Sequence, residues 1–218
     1  MSEKVFIFED KRTTQSSLEL LYHISRELAT AIDLHAVLQR VLELSLEAVG
    51  ANSGSIIVLD DKGNPIDSAI IHSGQVYNHT TRQLRSTLEK GLAGWVVRNR
   101  QMALVRDTST DPRWTKRPDD APDRTGAKSS VSAPLMARER LVGVITLVHP
   151  NPNTLNEGHE ALVQAIADQA GIAVLNARLY AESQRQAQVV TALAETAVSI
   201  TAALGTDHML QLILEQIQ

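Results

Sequence analysis

Toward its end the chain reads as one long helix, from about Asn156 to about Ala203. Apolar and small residues recur there at steps of three and four: Leu162, Ile166, Ala170, Ala173, Ala177 and Tyr180. A second seam carries Ile172, Leu175, Leu179, Val189, Leu193 and Ile200, a heptad interrupted by Glu182, Gln186 and Thr196. The first half is apolar on more than one face, so it must bury against its own domain and against something else. The middle, residues 182–188, is polar and has no core to serve. A helix that leaves a domain and runs on through water is expected to be a connector, paired with a second helix.

Upstream, the pattern predicts two helices first. Residues 16–19 (SSLE) fit a capping box, and Leu18, Leu21, Ile24, Leu28 and Ile32 make one apolar stripe. Asp33 caps the second helix, whose stripe is Leu34, Val37, Leu38, Val41, Leu42 and Val49, with Gly50 as its stop. From Ala51 the period changes to two. Residues 54–60 and 66–72 read as a hairpin around the turn sequence DKGNP at 61–65. Residues 73–88 read as a loop with a short strand, 90–100 as a short helix and 102–105 as a short strand. A long irregular segment follows, about 107–128, with Pro112, Pro118 and Pro122 and dense charge; it is expected to be the most mobile part of the domain. Residues 129–136 and 141–149 are strands, the last the most apolar and therefore central. Antiparallel strands flanked by helices make an α+β fold.

The helix pattern also repeats. Residues 200–215 align with 28–43, pairing Ala31, Leu38, Gln39, Leu42 and Glu43 with Ala203, Leu210, Gln211, Leu214 and Glu215. A repeat at this separation reads as a domain repeat, the alternative being two amphipathic helices that match by chance. The expected organisation is a flexible leader over 1–14, a domain over 15–182, a helical linker over 183–200 and the start of a second copy over 201–218.

Composition narrows the function. Hydrophobic residues make up 43% of the 218, enough for a sizeable core, and the net charge of −4 is spread without long runs. Nothing argues for nucleic-acid binding. Cysteine is absent, which excludes disulfides, thiolate metal sites and cysteine nucleophiles and fits a reducing, cytoplasmic setting. No apolar run approaches a membrane span. The seven histidines are scattered, with no metal-ligand spacing, so neither a metal nor a cofactor is expected.

Five stretches, in order and spacing, resemble the GAF domain, a small-molecule-sensing module of signalling proteins. They are residues 90–97 (KGLAGWVV), 111–114 (DPRW), 132–135 (SAPL), 141–147 (LVGVITL) and 168–180 (DQAGIAVLNARLY). The resemblance implies an antiparallel six-stranded sheet with the N- and C-terminal helices on one face. The opposite face, closed by the small helix and the long loop, would hold the ligand. Pocket candidates are Trp95, Arg113, Trp114, Ser129 and Ser132. Trp95 is either a pocket wall or a core aromatic. Arg113 and Trp114 either cap a ligand or anchor their loop. The two serines either bind a polar ligand or serve the strand edge. Bilin-binding and methionine-sulfoxide-reducing relatives use cysteines, which this chain lacks. The signature of cyclic-nucleotide-binding relatives is incomplete, since residues 149–158 lack its Lys and Phe.

The functional expectation is a regulatory sensor that binds a small molecule and relays its state through a dimeric helical linker to an output domain such as a histidine kinase. The alternative is a ligand-free dimerisation module. No nucleophile, base and orienting group can be assembled, so no catalytic activity is expected. The dimer is expected through residues 18–32 and 156–203, with Ile172, Leu175, Leu179, Val189 and Leu193 in the seam.

Overall fold

The computed structural model describes residues 33–77, 81–115 and 126–215. The expected leader, the helix over 16–32, part of the expected mobile loop and the chain's last residues lie outside the described residues. The chain divides into two units, with the boundary between Ala177 and Arg178.

Helix α1 (Leu34–Val49) begins where Asp33 accepts the backbone N–H of His35 and ends at Gly50, whose φ of 65° closes the last turn. Then come β1 (Ser53–Leu59), β2 (Pro65–His72) and β3 (Gln75–Val76). The β1–β2 turn is tied by Asp60, whose carboxylate accepts the N–H groups of Lys62 and Asn64 at 2.9 and 2.7 Å. Helices α2 (Thr81–Lys90) and α3 (Leu92–Asn99) follow, then β4 (Ala103–Val105), β5 (Ser129–Ala137), β6 (Arg140–His149) and α4 (Glu157–Glu215).

The six strands form one antiparallel sheet in the order β3-β2-β1-β6-β5-β4. The apolar strand β6 is central, as its composition predicts, and the α+β class with six antiparallel strands holds. On one face, Ile56, Val58, Ala69, Val131, Ala133, Leu135, Ile145 and Leu147 pack against α1 and the first part of α4. There Val163, Ile166, Ala167, Ala170 and Val174 of α4 are buried. On the other face, Ile57, Leu59, Ile70 and Val144 pack against Leu84 of α2 and Leu92, Ala93 and Val96 of α3. An irregularity between Leu135 and Met136 flips β6: Val142 joins the first cluster, Val144 the second.

One element departs from the sequence expectation. The stretch 73–88, read as a loop with a short strand, instead holds most of α2 (Thr81–Lys90). Its apolar positions are few, but Leu84 and Leu88 are four apart and pack on the second cluster. Tertiary burial decides the helix, not propensity.

In the second unit, residues 181–199 are helical and exposed throughout, including Val189, Val190, Leu193 and Val198. Helix α4 runs to Glu215, beyond the expected end near Ala203.

Candidate functional site

The second sheet face is polar near one end of the strands and apolar near the other. Strand alternation places Ser53 and Ser55 of β1 on this face, opposite the apolar Ile56 and Val58. Register then builds two rows. Ser55 lies between Ile70 and Thr146, and Thr146 is followed by Ser132. Ser53 lies between His72 and Val148. Residues far apart in sequence thus form one hydroxyl floor.

Over that floor lies a cavity of about 290 Å³. Its floor includes Ser53, Ser55 and Thr146; its walls include Tyr77 and Trp114; the C-terminal turn of α2 (Thr87) and the start of α3 (Gly91, Leu92, Ala93) roof it; Lys128 stands at its side. His72 holds the Ser53 hydroxyl through Nδ1 at 2.8 Å and meets the Tyr77 ring edge-on with centroids 6.3 Å apart. The Thr146 and Ser132 hydroxyls are 2.8 Å apart, and Ser132 also donates to the Ile145 carbonyl. Ser55 differs from its neighbours. The residue is 8% exposed, and its hydroxyl has no protein partner among the described residues.

Helix α3 is brought close to α2 by its glycines. A Cβ at Gly94 would lie 1.7 Å from the Leu88 carbonyl oxygen, so only glycine lets α2 and α3 meet there. Gly91 precedes α3 without a side-chain cap, leaving the first-turn N–H groups of the helix, at the cavity roof, to other acceptors.

Of the five candidates from sequence, Trp114 lines the cavity. Trp95 and Arg113 do not; they make a clamp beside it. The Arg113 guanidinium stacks over the Trp95 ring at 4.9 Å and binds the Asp111 carboxylate at 2.6 Å. The Arg113 side-chain bond holds the Asp111 carboxyl below its ordinary value, with the Arg113 backbone N–H and charge adding to it against partial desolvation. In turn the Asp111 bond raises the Arg113 value. Ser129 is buried among backbone groups, donating to the Asn151 carbonyl and accepting the Leu155 N–H. Ser132 touches the cavity through Thr146. Sequence reasoning passed over Ser53, Ser55, Thr146 and Lys128. The signal for the first two was present: hydroxyls at alternate positions, facing away from the apolar side of β1.

The flanks of the long loop are tied down. The Thr108 N–H donates to the Lys128 carbonyl, and the Lys128 N–H returns a bond to Thr108 Oγ1. Thr115 Oγ1 donates to the Lys90 carbonyl at 2.6 Å. Residues 116–125 of the expected mobile segment lie outside the described residues.

Helices on one face of an antiparallel sheet, with a lined cavity beneath short helices on the other, define an α+β domain with a candidate ligand pocket. A family model described as GAF domain matches residues 10–175, and the chain belongs to the GAF domain family, whose members are sensory modules of signalling proteins. Among curated proteins, the probable 3',5'-cyclic phosphodiesterase pde-5 of Caenorhabditis elegans is 23% identical over 166 residues, 72% of this chain. The matched part spans 22% of that protein's length. The GAF domain of a phosphoenolpyruvate-protein phosphotransferase from Coxiella burnetii superposes with a TM-score of 0.58 at 18% identity, covering 76% of this chain and 96% of that one. A free methionine-R-sulfoxide reductase from Neisseria meningitidis, solved in complex with its substrate, superposes with a TM-score of 0.56 at 16% identity, covering 75% and 90%. At these identities the solved structures share the fold. Among the described residues, no helix is long and apolar enough to cross a membrane.

Proposed function

We infer that this domain is a regulatory sensor that binds a small molecule in the cavity above β1, β2 and β6. The observation that carries the reading is the cavity itself: about 290 Å³, with hydroxyls on its floor and Tyr77 and Trp114 in its walls. A ligand-free scaffold would be expected to fill that face with apolar side chains, as the opposite face is filled. The bound state is relayed along α4 through a parallel homodimer to an output domain, such as a histidine kinase, in the cytoplasm. Exposed Ile172, Leu179, Val189 and Leu193 supply the seam, and the polar positions Glu182, Gln186 and Thr196 weaken it. A weakened seam leaves two helix arrangements within a few kcal/mol, which is what a switch needs. The domain regulates rather than catalyses: it has no cysteine for thiol redox chemistry.

The ligand-free dimerisation module is supported by the same exposed apolar residues on α4. Native mass spectrometry of the protein purified from its host separates the two. A retained small-molecule mass that Trp114→Ala and Ser55→Leu remove supports the sensor. Bare protein, with the dimer intact, supports the scaffold.

A further inference from the structure

The hydroxyls on the cavity floor do not offer a ligand the same thing. Behind the floor, Ser132 donates its proton to the Ile145 carbonyl at 3.0 Å, and its oxygen lies 2.8 Å from Thr146 Oγ1. A hydroxyl carries a single donor proton. Both bonds therefore exist together only when Thr146 donates to Ser132. Thr146 then turns lone pairs, and no proton, toward the cavity that it lines. Ser55 is its direct neighbour across β1 and β6. That residue is more than nine-tenths buried, and its hydroxyl has no protein partner among the described residues, so its proton is free to be donated. A buried hydroxyl without a partner is costly, so its bond belongs to whatever fills the cavity. The floor thus pairs one acceptor with one donor.

We propose that the cavity selects an uncharged carboxamide borne on a flat ring. The carboxamide N–H donates to Thr146 Oγ1, its carbonyl accepts from the Ser55 hydroxyl, and the ring lies against Tyr77 and Trp114. The claim rests on the sensor reading above and adds the groups that the ligand brings to the floor. A ligand with acceptors alone would set its lone pairs against those of Thr146 and leave both unpaired at a buried position. A carboxylate has that fault at the floor, although Lys128 at the side of the cavity supplies a countercharge.

The full chain, freed of any retained ligand, is titrated with benzamide, acetophenone and benzoate, followed by the indole N–H signal of Trp114 and the backbone amides of Leu92 and Ala93. Acetophenone keeps the carbonyl and replaces the amide nitrogen by a methyl group; benzoate replaces it by an anionic oxygen. Benzamide is expected to shift the signals saturably and to bind about tenfold or more tighter than either. Thr146→Val is expected to erase the advantage of benzamide over acetophenone, and Thr146→Ser to keep it. Ser55→Ala is expected to weaken benzamide and acetophenone alike while leaving the ligand-free melting temperature unchanged or higher, because it deletes a hydroxyl without a protein partner. A serine with a merely structural role would lower it. Acetophenone binding as tightly as benzamide, or an advantage that survives Thr146→Val, would overturn the carboxamide assignment and leave the sensor reading standing. Benzoate binding tighter than benzamide would do the same and give the selection to the Lys128 charge. Absence of saturable shifts with all three probes would also overturn the assignment; the sensor reading then stands or falls by the retained-ligand measurement.

Discussion

Ser129 shows what a buried hydroxyl does when its partners are protein atoms. It is fully buried, donates to the Asn151 carbonyl at 2.8 Å and accepts the Leu155 N–H at 3.3 Å, so it ties β5 to the segment before α4. Ser129→Ala is expected to cost about 1–3 kcal/mol, because two backbone groups lose a buried partner. A drop in melting temperature of roughly 2–4 °C per kcal/mol would register it, with ligand uptake unchanged. Ser55 predicts the opposite sign on stability. From sequence alone the two serines cannot be told apart in this way: Ser129 and Ser132 stood out because they open a strand, whereas Ser55 sits inside an apolar one. The difference is made by what lies across the sheet and by the loop that returns over it.

At the level of the element, the turn carrying Asp111, Arg113 and Trp114 is the piece that positions the cavity wall. Arg113 bridges Asp111 in its own turn and Trp95 on α3, while Trp114 reaches the cavity. Because the Asp111 carboxyl is held below its ordinary value of 3.8, its contribution to holding the turn is complete above that value. The contribution is lost as pH falls below 3.8 through the lowered value. Tryptophan emission is therefore expected to change between neutral pH and that acid range before the sheet unfolds. Asp111→Asn is expected to shift the emission already at neutral pH and to abolish the acid step. An unchanged acid step in this variant would show that the clamp does not govern the turn. Helix α2 teaches a related lesson. Its ten residues hold few apolar positions, so spacing alone gives too little signal, yet burying Leu84 and Leu88 against α3 and β2 makes it helical.

At the scale of the whole molecule, the exposed apolar residues of α4 are the seam of the proposed dimer. Leu179 is 55% exposed and Leu193 is 65% exposed, seam positions two heptads apart. Leu179→Glu with Leu193→Glu is expected to convert a dimer to monomer in light scattering, with the domain's circular dichroism retained. Leu175 is a poorer test, because it packs partly against its own core. A dimer that persists unchanged would place association elsewhere. The sequence by itself determined the elements other than α2, their order, the central position of β6 and the amphipathic faces, because these depend on spacing within single segments. Trp114 was legible for the same reason, as a large aromatic in a turn motif. Only the tertiary structure decided which residues share the cavity. Ser55, Thr146, His72 and Lys128 come from separate segments, and they meet through strand register and the path of a loop. A period of two says which face a side chain takes, but pairing between distant strands decides what stands beside it.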